Sequence, residues 1–225
     1  MADWMRALQA TEILALRAQG LPPGDLAASL LACACPELSP EQRDALPVGE
    51  RDRLVLDLRE RTLGPALRAR AECPACGESL ALELHTAELR APPPKYADTD
   101  RELERHGFRL RLRPPSGRDL AAAAADPCDP RSALLARCVR AERDGVACPI
   151  EHVPADLRTE ALERLAALDP QADVRLGLRC PACEHMWTAG LDLADGLTRE
   201  LLAWAEGLAS VIALRPRQYA SRLDP

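Results

Sequence analysis

The sequence predicts an α+β protein, mostly helical, in which a small antiparallel ribbon is split by an inserted α/β segment. Three observations carry this. Ala- and Leu-rich stretches with helical periodicity occupy both ends of the chain. Period-two alternation gathers around two cysteine motifs, Cys73-Pro74-Ala75-Cys76 and Cys180-Pro181-Ala182-Cys183. Residues 77–179 lie between those motifs and carry strand and helix signals of their own.

Taken in order, Met5 to Gln19 reads as a helix stopped by Gly20 and Pro22-Pro23. Asp25 to Ala34 is a second, ended by Pro36. Glu50 to Leu63 is a third, with Leu54, Val55 and Leu58 on one face and Gly64-Pro65 behind it. Strand signals begin after the first cysteine motif, where Leu80, Leu82 and Leu84 alternate with Ala81, Glu83 and His85. Val174, Leu176 and Leu178 alternate just before the second motif, and Trp187, Ala189, Leu191 and Leu193 just after it.

Inside the insertion, Ala91 to Lys95 is a proline-stiffened linker running into a loose polar stretch to Asp100. Phe108 to Arg113 is a strand with Phe108, Leu110 and Leu112 on one face and Arg109, Arg111 and Arg113 on the other. Pro114-Pro115 ends it. Ser116 then N-caps a helix whose first turn holds Asp119. Asp129-Pro130 opens another helix, carrying Leu134, Leu135, Cys138 and Val139, and Ala155 to Leu168 is a third. Thr198 to Leu214 is the last helix, with Leu201, Trp204, Leu208 and Val211 at helical spacing. The expected organisation is therefore a helical segment (1–66), a split ribbon (67–90 plus 172–194), an inserted strand–helix segment (91–171), and a closing helix with a tail (195–225).

Composition narrows the function. The chain of 225 residues is 47% hydrophobic but only 3% aromatic, with one Phe, so its core must be built from Leu, Ala and Val. Aromatic-lined small-molecule pockets do not fit such a core, and no small-molecule substrate is expected. The net charge of −6 and the dispersed arginines argue against a nucleic-acid partner. Runs such as Arg51-Asp52-Arg53 and Arg59-Glu60-Arg61 read as solvated faces. No stretch is apolar enough to span a membrane, and MADWMRALQATE lacks the form of a secretory signal. A cytoplasmic protein is expected, where disulfides rarely persist; the odd count of nine cysteines agrees.

Two Cys-x-x-Cys turns can complete a tetrahedral four-thiolate site, and strands flanking each turn give the zinc-ribbon pattern. Gly77 after the first motif permits a left-handed residue there, and Glu184 occupies the corresponding place in the second. The adopted reading is one structural zinc ion held by Cys73, Cys76, Cys180 and Cys183, although the usual spacing between such pairs is about 15–20 residues. Two independent redox dithiols, or cysteines without metal, are the alternatives; His185 could also replace a cysteine. Cys33, Cys35 and Cys138 read as small buried hydrophobes, while Cys128 and Cys148 fall in turns.

None of the four histidines, His85, His106, His152 and His185, joins a catalytic motif, and no phosphate-cradling glycine loop is present. Glu160 and Glu163 sit on an ordinary amphipathic helix. No enzyme is expected. Arg109, Arg111 and Arg113 form either a charged, protected strand face or a dock for an acidic partner. Trp204 belongs either to the core or to a partner-binding face followed by the Arg-rich stretch Arg215 to Arg222.

The order of motifs is itself informative: LPVGERDRLVLDLRE, LGPALRARAECPACGESLALEL, FRLRLRPPSGRDLAAAAA, SALLARCV, and LDPQADVRLGLRCPACEHMWTAGLDLADGLTRELLAWAEGL. The series, over roughly residues 45–214, resembles proteins encoded with contractile injection systems and phage-tail-like particles, described as baseplate proteins or baseplate hub assembly chaperones. The resemblance implies a non-enzymatic structural or assembly role, zinc as a structural ion on the four motif cysteines, and baseplate, hub, spike or tube proteins as partners. The protein could act only in assembly or also remain in the particle. One departure is Ile212 to Tyr219, abbreviated where such proteins are expected to continue into a longer helical tail. A zinc-ribbon nucleic-acid-binding or regulatory protein is the second reading and a thiol oxidoreductase the third.

Overall fold

The computed structural model describes residues 5–21, 23–92, 101–126 and 129–220, with backbone alone for Pro23, Gly24 and residues 209–220. The linker residues beyond Pro92, Cys128 and the tail beyond Ala220 lie outside them. The chain is α+β, its strands all in small antiparallel sheets. It divides into two compact units. The first comprises residues 1–39, 54–89 and 176–225, the second residues 40–53 and 90–175.

The first unit begins with α1 (Ala10–Arg17) and α2 (Pro23–Ala34). The α1 helix is shorter than predicted because Gln9 and Glu12 form a capping box that fixes its start. The helix α4 (Val48–Leu63) contributes its residues from Leu54 onward. It ends where Gly64 adopts φ +88° and donates its N–H to the Glu60 carbonyl. Two hairpins follow in sequence order: β1 (Ala66–Glu72) with β2 (Ser79–His85), and β7 (Val174–Arg179) with β8 (Met186–Leu191). No alternation signal marks β1, since alanine and arginine dominate it and only Leu67 is buried, although it is a strand flanking the first turn as the ribbon pattern expects.

The closing helix α8 (Leu193–Ala220) starts five residues earlier than predicted and runs through the stretch expected to be abbreviated. It packs on α1 and α2. Its buried stripe is Leu193, Leu197, Leu201 and Ala205, spaced four apart. Of the predicted stripe, Leu201 is buried as expected, Trp204 is half-buried and Leu208 is exposed. Arg59, predicted to face solvent, is among the most buried side chains of the unit, and Asp57 is buried near it in sequence.

The second unit contains α3 (Pro40–Asp44), the first turn of α4, and a four-stranded sheet. Its order is β3 (Glu102–Arg105), β4 (Phe108–Leu112), β5 (Val139–Arg143), β6 (Val146–Cys148). Only β4 is predicted. Val139 starts a strand rather than continuing a helix, and Cys148 ends a strand rather than sitting in a turn. Two-residue turns at His106-Gly107 and Asp144-Gly145, all four residues at positive φ, close the outer hairpins.

Three helices, α5 (Gly117–Ala124), α6 (Pro130–Cys138) and α7 (Ala155–Leu168), complete the unit. Ser116 caps α5 and Asp129 caps α6, both as predicted. Phe108, Leu110 and Leu112 turn inward to meet Leu135, Cys138, Leu157, Ala161 and Leu165 in one apolar core. At the start of α4, amide donors find partners distant in sequence: Val48 N–H donates to the Pro115 carbonyl at 2.9 Å and Gly49 N–H to Asp169 Oδ2 at 2.8 Å. That satisfaction explains why α4 begins two residues before its predicted start.

Candidate metal centre

Each cysteine motif forms the turn of a hairpin in the first unit. The two turns repeat one hydrogen-bond pattern. Cys73 N–H donates to the Glu78 carbonyl and Gly77 N–H to the Cys73 carbonyl, both at 2.9 Å. Cys180 N–H donates to the His185 carbonyl at 2.9 Å and Glu184 N–H to the Cys180 carbonyl at 3.0 Å. The residue after the second cysteine takes positive φ in both, +75° at Gly77 and +60° at Glu184. Glycine does so freely, whereas a glutamate there crowds its Cβ against the backbone.

The repeated turns bring all four thiols together. Their sulfurs lie within 4.8 Å of one another, and among the described residues this is the cluster with metal-ligating potential. The shortest approaches cross from one turn to the other: Cys73 Sγ to Cys183 Sγ is 3.7 Å and Cys76 Sγ to Cys180 Sγ is 3.6 Å. The first cysteine of each turn is buried and the second exposed, so each close pair joins a buried thiol to an exposed one. A tetrahedral zinc ion with Zn–S bonds of about 2.3 Å separates its sulfurs by about 3.8 Å, so the residues fit such an ion. His185 is outside the cluster; its ring stacks on Trp187 with centroids 6.1 Å apart.

The thiols are electrostatically unequal. Burial would raise Cys73, but the amides of Ala75 and Cys76 and the thiols of Cys183 and Cys180 outweigh it and bring it down to about 7. An amide at Glu78 favours the Cys76 thiolate, yet the thiols of Cys183 and Cys180, with loss of solvent, push it up to about 12. Cys183 also rises: the His185 amide and the Cys76 thiol lower it, but loss of solvent and the thiols of Cys180 and Cys73 prevail. Four thiolates in this space would repel one another, and a bound cation would compensate them; without it Cys76 and Cys183 hold their protons. Four ligands filling a tetrahedron leave no open position for substrate.

The predicted partner residues are placed as follows. Arg109 and Arg111 lie on the exposed face of β4, with Arg109 paired to Glu104 and Arg111 Nε 3.1 Å from Glu102 Oε1. Arg113 follows the strand and binds Asp119, Nη1 to Oδ2 at 2.6 Å and Nη2 to Oδ1 at 3.0 Å. Trp204 is in the first unit, on α8.

Sequence reasoning missed several polar groups that hold these elements. Arg59 Nη2 donates to the Ala66 carbonyl at 2.6 Å and its guanidinium pairs with Glu200, which fixes the start of β1 beside α8. Asp119 collects Arg113, Arg137 and Ser116. No motif marks Arg59, since an arginine in a charged run looks solvated until its surroundings are known; Asp119 is placed in the first turn by the sequence, but not its arginine partners. Asp169, adjacent to Pro170 after a helix, offered only a turn signal.

No helix among the described residues is long and apolar enough to cross a membrane. The family model described as T4 bacteriophage base plate protein matches residues 29–192. That span contains both cysteine turns and all of the second unit. It begins earlier and ends earlier than the motif series suggested, taking in the second half of α2 and stopping before α8. No curated protein and no solved structure matches the chain.

Proposed function

The chain belongs to the T4 bacteriophage base plate protein family, and from that premise we propose that it is a non-enzymatic component or assembly factor of a contractile injection or phage-tail-like baseplate, braced by one structural zinc ion. The observation that carries the reading is the convergence of four thiols from turns more than a hundred positions apart, within a matched family span. Cys73, Cys76, Cys180 and Cys183 would hold the ion. It would supply no reaction chemistry, only a cross-link between two hairpins that each bury little on their own.

Baseplate, hub, spike or tube proteins are the proposed partners, met in the cytoplasm where the particle is built. Arg109 and Arg111, with side chains 49% and 56% exposed, belong to the proposed docking surface, where a partner's acids would compete with Glu104 and Glu102. Arg113, next in the chain after that strand, is assigned to the same surface, and Trp204 of α8 to a separate partner contact on the first unit. The −6 net charge disfavours the nucleic-acid alternative.

The test is genetic and structural. Deleting the gene in its native host and imaging particles by electron microscopy should show tubes and sheaths without complete baseplates. Wild-type protein should restore assembly; Cys73→Ser/Cys180→Ser protein should not. Normal particles from the deletion strain would refute the role.

A further inference from the structure

We propose that the outer edge of β1 is a strand-docking site for an acidic, extended segment of a partner polypeptide. The sheet β1–β2 has two strands, so among the described residues one edge of β1 has no strand beside it. The register decides which backbone groups that edge offers. Cys73 N–H donates to the Glu78 carbonyl and Thr86 N–H to the Pro65 carbonyl. Those bonds make 67/84, 69/82 and 71/80 the hydrogen-bonded pairs. The N–H and C=O groups of Ala66, Arg68, Arg70 and Glu72 therefore point away from β2. Ala66 is committed already, its carbonyl taken by Arg59.

Arg68 and Arg70 line a groove of about 560 Å³ in the first unit. Buried Leu67, Leu193 and Leu197 lie at its base, and Gly190 and Leu191 of β8 form the other wall. The strand β8 also has one strand neighbour among the described residues. An extended segment laid along β1 would extend that sheet by main-chain hydrogen bonding, as in other strand-addition complexes.

Charge selects the occupant. Arg70 makes no ion pair among the described residues, and Arg68 reaches only Glu83, at 3.7 Å with both side chains in solvent. The groove's acids are committed elsewhere: Asp192 accepts the Asp195 N–H at 3.0 Å at the start of α8, and Glu200 is held by Arg59. An added strand turns alternate side chains to opposite faces. One set would stand beside Arg68 and Arg70, the other beside Leu67 and Ala69. The fitting segment therefore alternates acidic and apolar residues. This surface is distinct from Arg109 and Arg111, and it draws on the baseplate reading only for the expectation of a protein partner.

The experiment titrates the full chain into a fluorescein-labelled, end-capped peptide of about seven residues alternating glutamate and valine, read by polarisation. Saturable, salt-sensitive binding is expected, weakened about ten-fold or more by Arg68→Glu/Arg70→Glu. Both side chains are exposed, and circular dichroism verifies that the variant folds. A peptide with lysine for glutamate should not bind. A peptide methylated at alternate backbone nitrogens keeps the charges but loses donors, and should bind about ten-fold more weakly. Equal binding of the methylated peptide would reduce the site to a charge patch and overturn the proposal, as would an unaffected variant or no binding at all. Self-association of the chain abolished by the double variant would give the groove to a second copy and overturn it too.

Discussion

Arg59 and Glu200, 141 positions apart, meet in a two-pronged ion pair, Nε to Oε2 at 2.9 Å and Nη2 to Oε1 at 2.6 Å. The Arg59 side chain is 2% exposed and that of Glu200 33%. Arg59 also donates to the carbonyls of Gly64 and Ala66, so it closes the end of α4 and the start of β1 together. Arg59→Met should cost about 3 kcal/mol, because it strands a carboxylate and two carbonyls. Glu200→Gln should cost less, about 1–2 kcal/mol: the buried guanidinium loses its counter-charge, but the amide oxygen and the carbonyls of Gly64 and Ala66 still accept from it. Urea unfolding of the two variants measures the difference; equal losses would contradict the asymmetry.

The cysteine cluster makes a sharper demand. Cys180→Ser should remove the ion, bringing zinc content from about one per chain to near none. It should also lower the melting temperature of the first unit. Cys33→Ser, at a half-buried thiol outside the cluster, should keep the metal. Atomic absorption and thermal melting read both effects, and an unchanged melting temperature in Cys180→Ser would refute the brace.

Asp119 should make the second unit acid-sensitive. The Arg113 guanidinium holds its carboxyl well below the usual range against the cost of burial, helped by the amide and hydroxyl of Ser116. A folded-state value below the unfolded one means this stabilisation is present above about pH 3.9 and is lost as pH falls toward the folded value. Asp119→Asn should cost about 2 kcal/mol at pH 7 and flatten the loss of stability below pH 4. Stability measured across that range decides it.

Asp169 has the opposite sign. Burial raises its carboxyl, while the Gly49 amide only partly lowers it. A raised carboxylate contributes stability below its unfolded value and loses it as pH rises through the folded one. Asp169→Asn should therefore match or exceed wild type at pH 7, with the advantage shrinking as pH falls. Asp169→Ala should lose about 1–2 kcal/mol by orphaning the Gly49 N–H. Gly49→Ala should be worse, since its Cβ would stand 2.0 Å from Asp169 Oδ1 and 2.8 Å from the Ala172 nitrogen.

The unequal turns yield a gain. Glu184 holds φ +60° where the matching turn has Gly77, and its ion pair with Arg179 is solvent-exposed and weak. Glu184→Gly should raise stability by about 1 kcal/mol. A melting curve suffices, and a lower melting temperature would show that the side chain matters more than its backbone strain.

Much of this was legible in the sequence because it depends on local chemistry. Ser116 and Asp129 cap the helices they were expected to cap, α7 spans its predicted range, and alternation placed β2, β4 and β7. The meeting of the cysteines could be inferred because two like turns are incomplete apart. The hairpin β5–β6 was missed even though Asp144-Gly145 is a turn signal, because its strands are short and charge-rich beside a stronger helix. Arg59 and Asp169 owe their roles to groups far along the chain and to burial, which no local pattern encodes; for Asp119 the local pattern gave the helix start at Ser116 but not the ion pairs with Arg113 and Arg137.

The thiol cluster also has a consequence in time. Cys73 and Cys76 leave the ribosome long before Cys180 and Cys183, since synthesis runs at about 5–20 residues per second. A chain interrupted anywhere before Cys180 presents half a site. The completed cluster thus reports that the whole intervening polypeptide has been made, and a metal-dependent fold would let the cell distinguish finished subunits from fragments before either reaches a growing particle.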